Sequence, residues 1–116
     1  MYQIHYLNKI SQQGTALWTE DFALNDDMNA ADGVLVRSAN MHDMELPQNL
    51  LAVARAGAGV NNIPLTTCAD KGIVVFNTPG ANARSVMELT LCGMLLGSRD
   101  IIDGVNWVQS IQDQPD

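Results

Sequence analysis

Three short segments hold the residue types that could do chemistry, and each directly follows an apolar run. Arg37-Ser38 follows Val34-Leu35-Val36, Arg55-Ala56-Gly57-Ala58-Gly59 follows Leu50–Ala54, and Asn77-Thr78-Pro79-Gly80-Ala81-Asn82 follows Ile73–Phe76. An arginine at the end of a buried strand can hold a carboxylate or phosphate through two parallel N–H···O bonds. Arg37 is read this way because the chain has only 6 basic residues; the plainer reading pairs it with Asp32 or Asp43 on the surface. Gly57 and Gly59 allow the backbone to approach a ligand, since glycine tolerates positive φ and carries no side chain. The segment lacks the third glycine and trailing helix of the dinucleotide fingerprint, so it is not read as a pyrophosphate loop, and a tight turn is its alternative. Asn82 stands where it can cap a following helix. His42, His5, Cys68 and Cys92 show no triad or metal spacing and are read as surface or core residues, and the methionines as packing.

The elements that must position these segments are short. Tyr2–Leu7 reads as an opening strand, Ser11–Trp18 as a short helix with Ser11 as its cap, and Phe22–Leu24 as a further short strand. Val34–Val36 is a continuous apolar run of the kind found in strands covered on both faces. Leu50–Arg55 and Ile73–Phe76 are two more strands, and Pro64–Lys71 between them is a two-turn helix started by proline and stopped at Gly72. Strands alternating with helices imply right-handed βαβ units and a parallel sheet. The fold class is therefore α/β, a flavodoxin-like three-layer domain over residues 1–80. In such sheets ligands collect at the carboxyl ends of the strands, where loops and helix starts present free N–H groups. Residues 81–116 read as one long or bent C-terminal helix, ~45 Å at about 1.5 Å per residue, longer than the domain is wide.

With 116 residues the chain has room for one domain, and 47% hydrophobic against 16% charged residues is a globular balance. Thirteen acidic against 6 basic residues give a net charge of −7, which repels nucleic acid and anionic membrane. The opening Met1–Ile10 lacks a signal-peptide layout and the cysteines lack close partners, which suggests a cytoplasmic protein with reduced thiols.

The ordered set Gly33-Val34-Leu35-Val36-Arg37-Ser38-Ala39, Ala54-Arg55-Ala56-Gly57-Ala58-Gly59-Val60-Asn61-Asn62-Ile63 and Lys71–Leu89, the last containing Asn77-Thr78-Pro79-Gly80 and Asn82-Ala83-Arg84-Ser85-Val86-Met87-Glu88, resembles the D-2-hydroxyacid dehydrogenases, most closely those acting on 3-phosphoglycerate. The likeness runs from about Ala31 to Trp107. It implies a two-domain enzyme whose other half, a Rossmann domain holding NAD, lies across a cleft reached through the C-terminal hinge helix.

By position, the resemblance makes Arg37 the clamp for the phosphate or distal end of the substrate, with Ser38 beside it and Arg55 as a second cation. The N–H groups of Ala58 and Gly59 would hold the substrate carboxylate next to the nicotinamide. Asn82 would touch substrate, and Val86 and Ala58 the cofactor; Ser85 and Glu88 would be structural. Ala58 stands where threonine is common, Asn61 where aspartate is, and Met87 where alanine is, so no side-chain hydroxyl reaches the cofactor from Ala58 and one charge near the site is missing. The family's GxGxxG loop and catalytic arginine, glutamate and histidine match nothing here, so no catalytic residue is assigned and the chain is expected to be an inactive fragment of a longer enzyme. Homo-oligomers are expected from its uncovered apolar helix. The competing expectations are a dehydrogenase for glycerate, glyoxylate or another D-2-hydroxy acid, and a freestanding flavodoxin-like binding or regulatory module.

Overall fold

A computed structural model describes residues 1–114. It divides into two compact units, Met1–Ala81 and Asn82–Asp116. The first carries five strands: β1 (Tyr2–Tyr6), β2 (Phe22–Leu24), β3 (Gly33–Val36), β4 (Ala52–Arg55) and β5 (Val74–Phe76). They form one sheet in the order β2-β1-β3-β4-β5, and every pairing is parallel. The α/β parallel architecture expected from the strand–helix alternation is therefore present.

Register explains where the core lies. Val34 pairs with Val53 and Val53 with Val75, so these side chains share one face of the sheet. Over that face pack Met41, Leu46, Leu50, Ile63, Cys68 and Ile73, all buried together with Val34, Val36 and Val53. The other face carries Ile4, Gly33, Leu35, Ala52, Ala54 and Phe76, and the shallow hollow over its centre is lined by strand residues alone. Full coverage on both faces, the expectation for so apolar a run as Val34–Val36, is thus met on one face only: Leu35 is half-buried between two buried valines. Within the first unit the described cover over this second face is partial: the Trp18 ring meets Tyr6 and Phe22 at centroid distances of 5.7 and 6.3 Å, and Ile10 stands beside Leu35 and Ala54.

Two helices flank the strands. In α1 (Gln12–Thr15) the Ser11 hydroxyl accepts the Gln13 N–H at 3.3 Å, the cap expected of it. Helix α2 (Leu65–Asp70) follows Pro64 and closes at Gly72, which adopts φ 72°. Here the Gly72 N–H donates to Ala69 O at 3.0 Å and the Ile73 N–H to Cys68 O at 2.8 Å, the paired bonds of a left-handed helix stop, which a side-chain-bearing residue would strain. Ile73 then turns its side chain into the core beside Cys68 instead of opening the strand, so β5 begins one residue later than its apolar run.

The second unit departs from expectation in one respect. The segment read as a single long or bent helix is two, α3 (Ala83–Ser98) and α4 (Ile101–Ile111). The break is at Asp100, at φ 50° and ψ 38°, the only non-glycine residue with positive φ among those described. Aspartate tolerates the left-handed region better than most residues, and the Asp100 carbonyl accepts the Gly104 N–H at 3.0 Å to start α4. Asn82 holds the N-cap position of α3, but its side chain makes no capping bond; only its carbonyl serves, accepting from Val86 N–H at 3.0 Å. Among the described residues no helix is long and apolar enough to cross a membrane.

Candidate functional site

The ends of β3 and β4 lie side by side, with Val36 paired to Arg55, so the two arginines leave the sheet at neighbouring points. Arg37 and Ser38 are exposed and Arg55 is half-buried. The difference follows from what the guanidinium of Arg55 does. Its Nε donates to the carbonyl of Arg37 at 3.0 Å, its Nη1 donates to the carbonyl of Gly59, and the same nitrogen stands 3.5 Å from Asn61 Oδ1. Arg55 thus ties the end of β3 to the turn that follows β4. No described residue accepts a hydrogen bond from the Arg37 guanidinium, and the only ion pair among the described residues is Arg84–Glu88. The surface pairing of Arg37 with Asp32 or Asp43 is therefore not formed: Asp32 accepts the Gln3 N–H at 2.7 Å and Asp43 the Asn40 amide at 3.3 Å.

The turn at Gly57-Ala58-Gly59 does not need its glycines for positive φ, which neither adopts. A Cβ on Gly59 would stand 2.8 Å from Arg55 Nη1, and one on Gly57 would stand 3.4 Å from Arg55 Nε. Gly59 thus leaves space for the Arg55 side chain to fold back over its own turn, whereas a Cβ on Gly57 would be in ordinary contact with it. On the other side, Asn77 Nδ2 donates to Ala58 O at 2.7 Å, the Thr78 N–H to Gly57 O at 3.0 Å and the Thr78 hydroxyl to Arg55 O at 3.3 Å. The carbonyls of the turn are thereby engaged, whereas the N–H groups of Gly57, Ala58 and Gly59 meet no acceptor among the described residues. Free N–H groups beside cationic side chains are groups of the kind that can bind an anion.

The β3 end is fixed from a third direction. The side-chain oxygen of Asn8, just after β1, accepts three consecutive N–H groups: Arg37 at 2.8 Å, Ser38 at 3.0 Å and Ala39 at 3.0 Å. Asn62 Nδ2 donates to the Ala39 carbonyl at 2.8 Å, and the Met41 N–H to Asn62 O at 2.9 Å. His42 Nε2 and Asn61 O are 2.8 Å apart, which binds this loop to the one beyond Gly59.

Of the residues singled out from sequence, Arg37, Ser38, Arg55, Ala58 and Gly59 gather at these two strand ends, while Asn82 and Val86 open the second unit. Asn61, Asn77 and Thr78 stand near the site by sequence without an expected bracing role, and Asn8 is a bracing residue that the sequence does not mark at all. Their common signature is a short polar side chain just beyond a strand or turn, yet their partners lie up to 31 residues away in sequence, where no local pattern reaches.

A family model described as "D-isomer specific 2-hydroxyacid dehydrogenase, catalytic domain" matches residues 2–110. The chain belongs to this family. Among curated relatives, a hydroxypyruvate reductase of Thermotoga maritima is 39% identical over 98 residues, 82% of this chain and 32% of the relative. A D-3-phosphoglycerate dehydrogenase of Methanocaldococcus jannaschii is 34% identical over 101 residues, 84% of this chain and 19% of its own length. The chain thus spans a third or less of either relative. Among solved structures, an NAD+-bound 3-phosphoglycerate dehydrogenase of Entamoeba histolytica superposes with a TM-score of 0.67 at 27% identity, over 83% of this chain and 39% of that one. The fold is also shared with an NADPH-dependent glyoxylate/hydroxypyruvate reductase of Sinorhizobium meliloti, with a TM-score of 0.76 at 22% identity, over 95% of this chain and 39% of that one.

Proposed function

We propose that this chain is the substrate-gripping part of a nicotinamide-dependent D-2-hydroxyacid dehydrogenase, and that its substrate is 3-phospho-D-glycerate, oxidised to 3-phosphohydroxypyruvate in serine biosynthesis. The observation that carries this reading is the pairing of an exposed guanidinium, Arg37, with a bridging one, Arg55, beside the free N–H groups of Gly57, Ala58 and Gly59. A substrate with an anion at each end suits such an edge: the phosphate lies against Arg37 and Ser38 with Arg55 behind them, and the carboxylate lies on the Ala58 and Gly59 N–H groups. For the cofactor, Ala58, whose carbonyl is held by Asn77, serves in the first unit and Val86 in the second, each as a separate contact. The nicotinamide, when bound, accepts or donates the hydride, and NAD is the cofactor we favour because the phosphoglycerate-type relative carries NAD+. The residues present position substrate, and turnover by this chain alone is not expected. Self-association belongs to the same reading, since Leu89, Met94, Leu95 and Trp107 of the second unit are all more than 60% exposed and apolar surface of this kind pairs readily; sedimentation as a monomer at every concentration would remove it.

Titration of the chain with 3-phosphoglycerate and with D-glycerate, followed by amide chemical shifts, tests the substrate. Arg37→Ala is expected to weaken the phosphorylated ligand by about 2 kcal/mol, roughly 30-fold, and glycerate much less. Unchanged 3-phosphoglycerate affinity sinks the phosphate assignment. A second reading, reduction of hydroxypyruvate or glyoxylate, is favoured by the 39% identity to the reductase over 82% of the chain. Glycerate binding as tightly as its phosphate ester would prefer it.

A further inference from the structure

We infer that Asn8 is a positioning residue for the anion site, and that it serves because its acceptor is neutral. The inference rests on the reading of Arg37 as the phosphate clamp. Three N–H groups in a row converge on the one Asn8 oxygen, at 2.8, 3.0 and 3.0 Å. Three consecutive amides aim at one point only when their peptide units curl into a concavity, whose inner surface is electropositive. Such a concavity takes up an anion unless something fills it. Here the carbonyl end of an amide fills it, supplying the lone pairs without the charge.

Two consequences follow from that choice of group. The backbone of Arg37 and Ser38 is pinned to β1 across 29 and 30 residues of sequence, so the point from which the Arg37 side chain departs is fixed although Arg37 itself is exposed. The Arg37 carbonyl is at the same time taken by Arg55 Nε at 3.0 Å, so this residue is held at both its backbone polar groups by side chains from two other strand ends. Secondly, the field of the two arginines stays uncompensated, because a carboxylate in place of the Asn8 amide would satisfy the same three N–H groups while opposing an incoming dianion. Asn8 therefore separates geometry from charge: the hydrogen bonds fix Arg37, and the neutrality of the acceptor preserves its attraction.

The test uses the chain with two replacements at this position and two ligands. Asn8→Ala is expected to raise the exchange rates of the Arg37, Ser38 and Ala39 amides at least ~10-fold and to weaken 3-phosphoglycerate by a comparable factor. Asn8→Asp is expected to keep those amides protected and still weaken 3-phosphoglycerate ~10-fold, D-glycerate less than ~3-fold, with the loss shrinking as salt is raised. A merely structural asparagine would give the opposite: full rescue by aspartate and no dependence on ligand charge or salt. Wild-type affinity for 3-phosphoglycerate in Asn8→Asp, or unaltered amide exchange in Asn8→Ala, overturns the inference; if Asn8→Ala does not fold, the aspartate variant decides alone. Arg37→Ala is run alongside: where it leaves binding unchanged, the phosphate reading has failed, and where it weakens binding while the Asn8 variants do not, only the positioning role has failed.

Discussion

The two faces of the sheet are built from alternate residues of the same strands, yet they have opposite characters. One presents Val34, Val36 and Val53, branched side chains that meet Met41, Leu46, Leu50, Ile63 and Cys68 with almost no exposed surface. The other presents Gly33, Ala52 and Ala54 along its middle, a trough of small residues between Ile4, Leu35 and Phe76. The packed face fixes the sheet, because its side chains are large enough to exclude water and touch many neighbours. The open face contributes little to that packing, as Val74 and Phe76 show by being 53% and 57% exposed. Stability and strand register therefore come from one side, and the strand ends that carry Arg37 and Arg55 inherit their positions from it.

Thiol chemistry should expose the contrast most widely. Cys68 is fully buried in the packed cluster, and burial pushes its thiol above the usual range; Cys92, on α3, is exposed. The thiolate is the reactive form, so a disulfide reagent near neutral pH is expected to modify one thiol per chain quickly and the second at least ~100-fold more slowly, only as the domain opens. Equal rates would mean that the packed face is not closed. The raised thiol also links stability to pH: since the folded form holds its proton more tightly than the unfolded one, this contribution is complete below the unfolded thiol range and is lost as pH rises through the folded value.

The same contrast divides what the residue pattern discloses from what it conceals. Runs such as Gly33–Val36 and Ala52–Arg55 are legible as strands because branched and small apolar residues cluster between turn formers, and α2 is legible because proline opens it and Gly72 closes it. Arg37, Ser38, Arg55, Ala58 and Gly59 are legible as strand-end residues from this alternation, whereas the family roles come from motif order. Apolar residues at both parities of Val34–Val36 promise two covered faces, since parity reveals that a side chain is apolar and not what lies above it. The break at Asp100 is hidden because apolar positions continue on both sides, in Leu95-Leu96 and Ile101-Ile102, while a left-handed backbone costs only about 1 kcal/mol and leaves no compositional trace. Least legible is the bracing of the site. The glycines at 57 and 59 suggest an approach to a ligand, and nothing local shows that Gly59 also admits the Arg55 guanidinium, a contact between a side chain and its own turn. Asn8 reads as the residue after a strand, because three bonds to residues some thirty places away have no local signature.

Paired substitutions at Val53 and Phe76 put the comparison in energetic terms. Val53→Ala removes buried methyl groups from the packed face, where the surrounding side chains can collapse only in part, and is expected to cost about 2 kcal/mol by urea unfolding. Phe76→Ala removes a far larger side chain, and in a covered core that change would cost about 3–5 kcal/mol. On the open face Phe76 is already more than half exposed, so little transfer free energy is lost and no closed cavity forms; the expected cost is under ~1 kcal/mol. The smaller deletion should thus do more damage than the larger one. An inverted order would mean that Phe76 is covered in solution and that the two faces are alike, because ring size alone cannot make an exposed side chain cost more than a buried one.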